Sequence, residues 1–165
     1  MNIYEVFFVS GVIMNINMTN LYLKNNYTVI GPNHIFNSDE AFNFVKEQIG
    51  NGTVERFFLI CMDYDYMPIN CSVIGIGNND KIIVDIGEVF KIALLSNAYH
   101  IIVAHNHLGS SLVPTESDLQ TTKQIGYVGN ILGIPLIDSI IVNSSDEYMS
   151  IRKFVMQKEK SNGLE

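Results

Sequence analysis

The chain has little that would staple it, export it or draw it to a polyanion. It holds two cysteines in 165 residues. Cys61 and Cys71 lie inside apolar segments and form no Cys-x-x-Cys pair, so they read as buried thiols in a reducing compartment and not as a two-cysteine zinc site. Basic residues are few: 10 Lys and Arg stand against 17 Asp and Glu, a formal charge of -7. That balance opposes counterion-release binding to a phosphate backbone, and direct DNA binding is not expected.

No apolar run approaches the roughly 20 residues that a membrane helix needs. The apolar stretch at 6–14 follows Glu5, has no basic residue before it and lacks a small-residue cleavage site, so it reads as a strand and not as a secretion signal. A cytoplasmic protein without a membrane partner is the expectation. Internal repeats, low-complexity tracts and linkers long enough to divide the chain are missing too. A chain of this length fits one ordinary domain that needs no disulfide.

What is present is an alternation of strand and helix signals. Residues 3–14 and 21–30 carry β-branched and aromatic residues between Asn-rich turns, a pattern for a short strand pair at an edge. Ser38 offers an N-cap for a helix that buries Phe42, Val45 and Ile49 and stops at Gly50. Residues 54–62 are nearly continuously apolar, as in a central strand covered on both faces, and 69–76 forms a hairpin with them before a loop at 77–80. Helical spacing returns at 87–98, with Val89, Ile92, Ala93 and Leu95 on one side. A short buried strand at 100–104 runs into His105-Asn106-His107. Pro114 and Thr115 open another helix, which Gly133 and Pro135 close; 136–142 is a strand, and 148–151 adds a short pairing strand. Residues 158–165 read as a polar, frayed end.

Chemistry concentrates after the strand at 100–104. Side chains two apart on a strand point the same way, so His105 and His107 project toward a common point. Asp118, in the first turn of the helix that follows, is placed to join them. Two imidazoles and a carboxylate make the three-ligand set of a catalytic zinc site, with the fourth position open. Each fragment alone has a plainer explanation: His-x-His as two surface histidines, and Thr115 with Asp118 as a helix cap. Together they favour metal binding. His34 and His100 lack such surroundings and read as structural or surface residues.

Proton transfer needs a carboxylate outside the metal shell, and Glu55 is the candidate, since a charge opening the apolar segment 54–62 must sit at an edge or a cleft. A solvated Glu at a strand start fits that residue equally well. Two other chemistries are disfavoured. HNH nucleases spread their His, Asn and His over a ββ-α unit, whereas here the three are consecutive. A zinc deaminase requires His-x-Glu and Pro-Cys-x-x-Cys, and neither occurs.

Glu55, His105-Asn106-His107, seven residues at 108–114, Thr115 and Asp118 follow the spacing of the JAB/JAMM (MPN-plus) metallopeptidases, and the chain resembles their RadC-type branch. Segments 87–94, 101–107 and 132–138 carry the likeness further, over about 28–152. The resemblance implies an α/β fold: a mixed β-sheet flanked by helices, of JAB/MPN (cytidine-deaminase-like) architecture. It divides the chain into an N-terminal strand extension at 1–27, a domain at 28–152 and a polar tail at 153–165. RadC proteins carry an N-terminal helix-hairpin-helix region, for which 1–27 leaves no room, so an isolated catalytic-type domain is expected.

The resemblance also implies a single zinc ion on His105, His107 and Asp118, with metal-activated water attacking a peptide or isopeptide carbonyl of a protein or peptide substrate. Glu55 would act as general acid and base, and Thr115 would take the place of the serine that helps stabilise the tetrahedral intermediate. Three departures stand out. Leu108-Gly109-Ser110 replaces Pro-Ser-Gly, Thr115 replaces serine, and Asp138-Ser139 replaces Asp-His. The first two motivate an alternative: a non-catalytic RadC-like binding module associated with DNA repair or a mobile element.

Overall fold

The computed structural model describes Val29, residues 31–77 and residues 83–162. The strand pair read at 3–14 and 21–30 falls outside these residues but for Val29, as does most of the loop at 77–80.

Helix α1 spans Ser38–Val45 and widens into a π-turn over Lys46–Gly50. Its cap lies one residue earlier than the sequence indicates. Asn37 has extended backbone and its side chain accepts from Glu40 N, while the Ser38 hydroxyl donates to Asp138 Oδ2 at 2.6 Å. The hydroxyl that looked like a cap is used in a tertiary bond. Strands β1 (Arg56–Met62) and β2 (Pro68–Ile76) form the expected hairpin, α2 covers Ile86–Leu95 on an Asp85 cap, and β3 runs His100–Asn106. Helix α3 (Glu116–Leu132) leads to β4 (Leu136–Val142) and β5 (Tyr148–Ser150). Gly133 ends α3 at φ 70, a left-handed conformation that favours glycine.

The sheet order is β2-β1-β3-β4-β5. Among the described strands only β3 and β4 are parallel; the other neighbours are antiparallel, which makes the sheet mixed. The parallel pair requires a crossover, and α3 supplies it. β1 is covered on both faces, as its nearly continuous apolar run predicts. Phe58, Ile60 and Met62 face the α1 side with Ile102, Ala104, Ile140 and Val142, whereas Leu59 and Cys61 face α2 and α3 with Ile101 and Val103. Each such large side chain contributes about 1.5–3 kcal/mol by leaving water.

The C-terminal segment departs from the sequence reading. Ile151–Asn162 is a helix, α4, where a strand residue and a polar tail from 153 were indicated. Its first turn is tied down from within. Buried Asp138 accepts from Arg152 N at 3.2 Å and from Ser150 Oγ at 2.6 Å, and Ser150 Oγ in turn accepts from Lys153 N at 3.1 Å. Ser150 is a local cap, but the carboxylate that orients it and accepts from Arg152 N comes from a distant strand and leaves no local mark in the sequence. No helix among the described residues is long and apolar enough to cross a membrane.

Candidate metal centre

The carboxyl end of the central strand β3, the start of α3 and the segment before β1 meet at one end of the sheet. β3 ends at Asn106, so His107 is the first residue beyond it, held in line by its backbone N–H donating to Val142 O at 2.8 Å. Strand alternation therefore persists through His107, and both histidines face α3. His105 Nε2 lies 3.1 Å from His107 Nε2 and 3.2 Å from Asp118 Oδ1, with His107 Nε2 3.6 Å from Asp118 Oδ2. Candidate ligand atoms from the three residues all fall within 4.8 Å of one another.

The donor chemistry fits a divalent metal. His107 Nδ1 is 2.9 Å from the Ser111 carbonyl, which only accepts, so Nδ1 carries the hydrogen and the neutral ring has its lone pair on Nε2. His105 is only 6% exposed, its ring lies parallel to that of Phe57 at 6.1 Å, and its buried Nδ1 has no partner among the described residues. All polar contacts of that ring are therefore at Nε2, inside the cluster. Two nitrogens and a carboxylate oxygen converging in this way could hold a divalent metal ion.

Asp118 is fixed by its own helix. Its Oδ2 accepts from Thr115 N and from Thr115 Oγ1, both at 2.7 Å, while Thr115 Oγ1 accepts from Asp118 N at 3.2 Å. This reciprocal capping box sets the carboxylate's orientation at the positive end of α3. Burial pushes the Asp118 carboxyl up, but the hydrogen bonds from His105 and His107, the charge of His105 and the Thr115 hydroxyl outweigh it and hold it well below the usual carboxylate range. His107 is raised, first by its hydrogen bond with Asp118 and against its own burial, with help from the Ser111 carbonyl and the charges of Asp118 and Glu55.

Glu55 stands one residue ahead of β1 and not within it, and it lines the same cleft as His105, His107 and Asp118, a space of about 240 Å³. The rest of its lining, Phe57, Val84, Thr121, Thr122 and Ser139 among it, carries no charge. Phe57 and Ser139 were missed by the sequence reading. Phe57 was legible as the residue two beyond Glu55 on the same strand face, and Ser139 is the departure noted beside Asp138.

Thr115 sits at the cleft, but its hydroxyl is engaged with Asp118 instead of pointing free. Thr115→Val is expected to lose about 1 kcal/mol of stability with the cap and to weaken metal binding roughly 10–100-fold as an outer-shell loss. Thr115→Ser should restore both; thermal unfolding and metal titration check this.

The remaining candidates lie apart. His100 begins β3 at the opposite end from the cluster and stacks on Tyr66 at 4.4 Å, and exposed His34 bonds to the Asp65 carbonyl through Nδ1 at 3.1 Å. Cys61 and Cys71 are free thiols on neighbouring strands that pack against opposite faces of the sheet. Burial pushes the Cys61 thiol up to about 12, so it is inert as a ligand or nucleophile at neutral pH.

A UPF0758 protein of Finegoldia magna is 39% identical over 115 residues, which cover 70% of this chain and 51% of the relative. One from Thermosynechococcus vestitus is 34% identical over 60% of this chain and 39% of its own length, and one from Caldanaerobacter subterraneus is 31% identical over 71% and 48%. The chain thus spans about half the length of the curated relatives it matches. The sequence profile of the RadC-like JAB domain matches residues 35–158, from Ile35 just ahead of α1 through the cluster to α4. With a mixed sheet, a His-His-Asp cluster at the end of β3 and a profile match over most of its length, the chain belongs to the RadC-like JAB domain family.

Proposed function

We propose that this chain is a zinc-dependent hydrolase of peptide or isopeptide bonds, with His105, His107 and Asp118 holding the ion and Glu55 moving the proton. The observation that carries this reading is the convergence of three ligand atoms within 4.8 Å in a cleft that Glu55 also lines. Zinc held there supplies a Lewis acid and brings the pKa of water down to roughly 7.

The residues themselves account for the rest. Glu55 accepts a proton at its carboxylate from the attacking water and delivers it to the nitrogen of the leaving amine. Asp118 supplies the one negative charge among the three proposed ligands, and Thr115 holds it in place. Ser139, Thr121 and Thr122 give the cleft neutral hydroxyls, which suit an uncharged amide and its flanking backbone. The chain's charge of -7 argues against a nucleic-acid phosphodiester as substrate.

A second reading has one observation behind it. The Thr115 hydroxyl is committed to Asp118, so a domain that keeps the metal but serves as a binding module is the alternative. One experiment separates the two: zinc-loaded protein is assayed against a panel of peptides and lysine-linked isopeptides, before and after chelation. Hydrolysis that chelation abolishes and zinc restores is expected. A fully loaded chain that cleaves nothing on the panel would leave the binding module.

A further inference from the structure

We infer that Asn106 is the positioning residue for Glu55: its side-chain amide grips both peptide groups that flank Glu55 and so sets where the carboxylate stands against the metal ligands. The inference rests on Glu55 being the group that moves the proton.

Asn106 lies between the two histidines and is 0% exposed. Its Oδ1 accepts from Arg56 N at 2.7 Å, and its Nδ2 donates to Val54 O at 3.1 Å. Those atoms belong to the peptide groups immediately after and before Glu55. On the other side, Glu55 O accepts from Gly77 N at 2.8 Å. The backbone at Glu55 is therefore held from both directions.

The register explains why a side chain is needed. Pairing of β1 with β3 runs as far as Phe57 opposite His105. One more step would set Arg56 opposite Asn106, and the next Glu55 opposite His107. The backbone ladder stops short of those steps, and the Asn106 amide continues it, offering one acceptor and one donor in a plane as a peptide group does. Alanine or serine lacks that pair, and an aspartate has no donor when ionised. Alternation then divides the labour along three consecutive residues: His105 and His107 face the cleft, and Asn106 turns to the clamp. One strand end thus locks the ligands and the proton-moving group into a common frame.

Gly52 closes the outer side. A Cβ there would stand 3.3 Å from Asn106 Nδ2 and 3.1 Å from Val54 O, closer than either would ordinarily tolerate. Gly52→Ala therefore disturbs the clamp without touching Glu55 or a ligand.

The test uses the full chain loaded with cobalt(II), whose pseudocontact shifts in NMR report how a nucleus stands relative to the ion. In Asn106→Ala, cobalt binding should stay within about threefold of the parent, as expected of a residue that is not a ligand. The shifts of Glu55 should change while those of Thr121 on α3 hold, and Gly52→Ala should move Glu55 in the same direction by less. With zinc, kcat should fall roughly 10–100-fold with KM within about twofold, and combination with Glu55→Gln should add no further loss. Unchanged Glu55 shifts in Asn106→Ala, or a rate loss that adds to that of Glu55→Gln, would overturn the assignment. If Asn106→Ala does not fold, the Glu55 shifts of Gly52→Ala decide. Should the zinc-loaded parent cleave nothing, the hydrolase reading fails alone, because the cobalt shifts still judge the clamp.

Discussion

Glu55→Gln should retain its full complement of zinc and lose roughly 10²–10⁴-fold in turnover, the range for removing a positioned general acid and base. Glutamine matches glutamate in size and keeps a carbonyl oxygen, so it preserves the shape of the cleft while abolishing the ability to take up and return a proton. Glu55 lies outside the group of three ligand residues, which is why metal content should survive. Stability should also survive, since a partly exposed side chain ahead of a strand contributes within about 0.5 kcal/mol. The measurement is turnover per bound zinc. Parent-level turnover would assign proton transfer to another group, and loss of zinc would make Glu55 a ligand. A solvated glutamate that happens to open a strand predicts no change in either quantity.

The residues that carry their signal in local spacing were legible before the structure. The nearly continuous apolar run to Met62 is a strand covered on both faces, and Gly133 ends α3 where the spacing of Leu119, Ile125, Val128 and Leu132 stops. His105 and His107 share a face because strand geometry continues one residue past β3, and Asp118 joins them because a capping box places it in the first turn of α3. What was not legible depends on partners distant in the chain. Ser38 loses the cap to Asn37 because its hydroxyl reaches Asp138, 100 residues away. Asp138 likewise anchors α4, whose exposed polar residues gave the appearance of a tail. Asn106 drew no role of its own from the sequence, since nothing local announces that its amide extends a ladder to Val54 and Arg56.

Replacing both His105 and His107 by alanine should take bound zinc from near one per chain to near none, read by elemental mass spectrometry, because a lone carboxylate cannot retain the ion. The same pair predicts opposite pH trends for the loaded and metal-free protein. A ligand imidazole must be unprotonated, and the pKa of His107 is raised by its bond to Asp118. As pH falls through that raised value, zinc must displace a proton and affinity drops, so the zinc-loaded chain gains thermal stability as pH rises. Asp118 does not compete, since its pKa is held far below the titration window.

Without metal the sign reverses. A raised His107 contributes stability that is complete below its ordinary value of 6.5 and is lost as pH climbs through the folded value. Asp118, depressed from 3.8, contributes stability that is present above that value and is lost only in stronger acid. The metal-free cluster is therefore most stabilising between about 3.8 and 6.5 and weakens above. Melting temperatures from pH 6 to 9 should rise for the zinc-loaded parent and fall for the chelated parent, and the double alanine variant should show neither trend. Parallel curves for loaded and chelated parent would mean that zinc does not use His107 Nε2, and the ligand set would have to be redrawn.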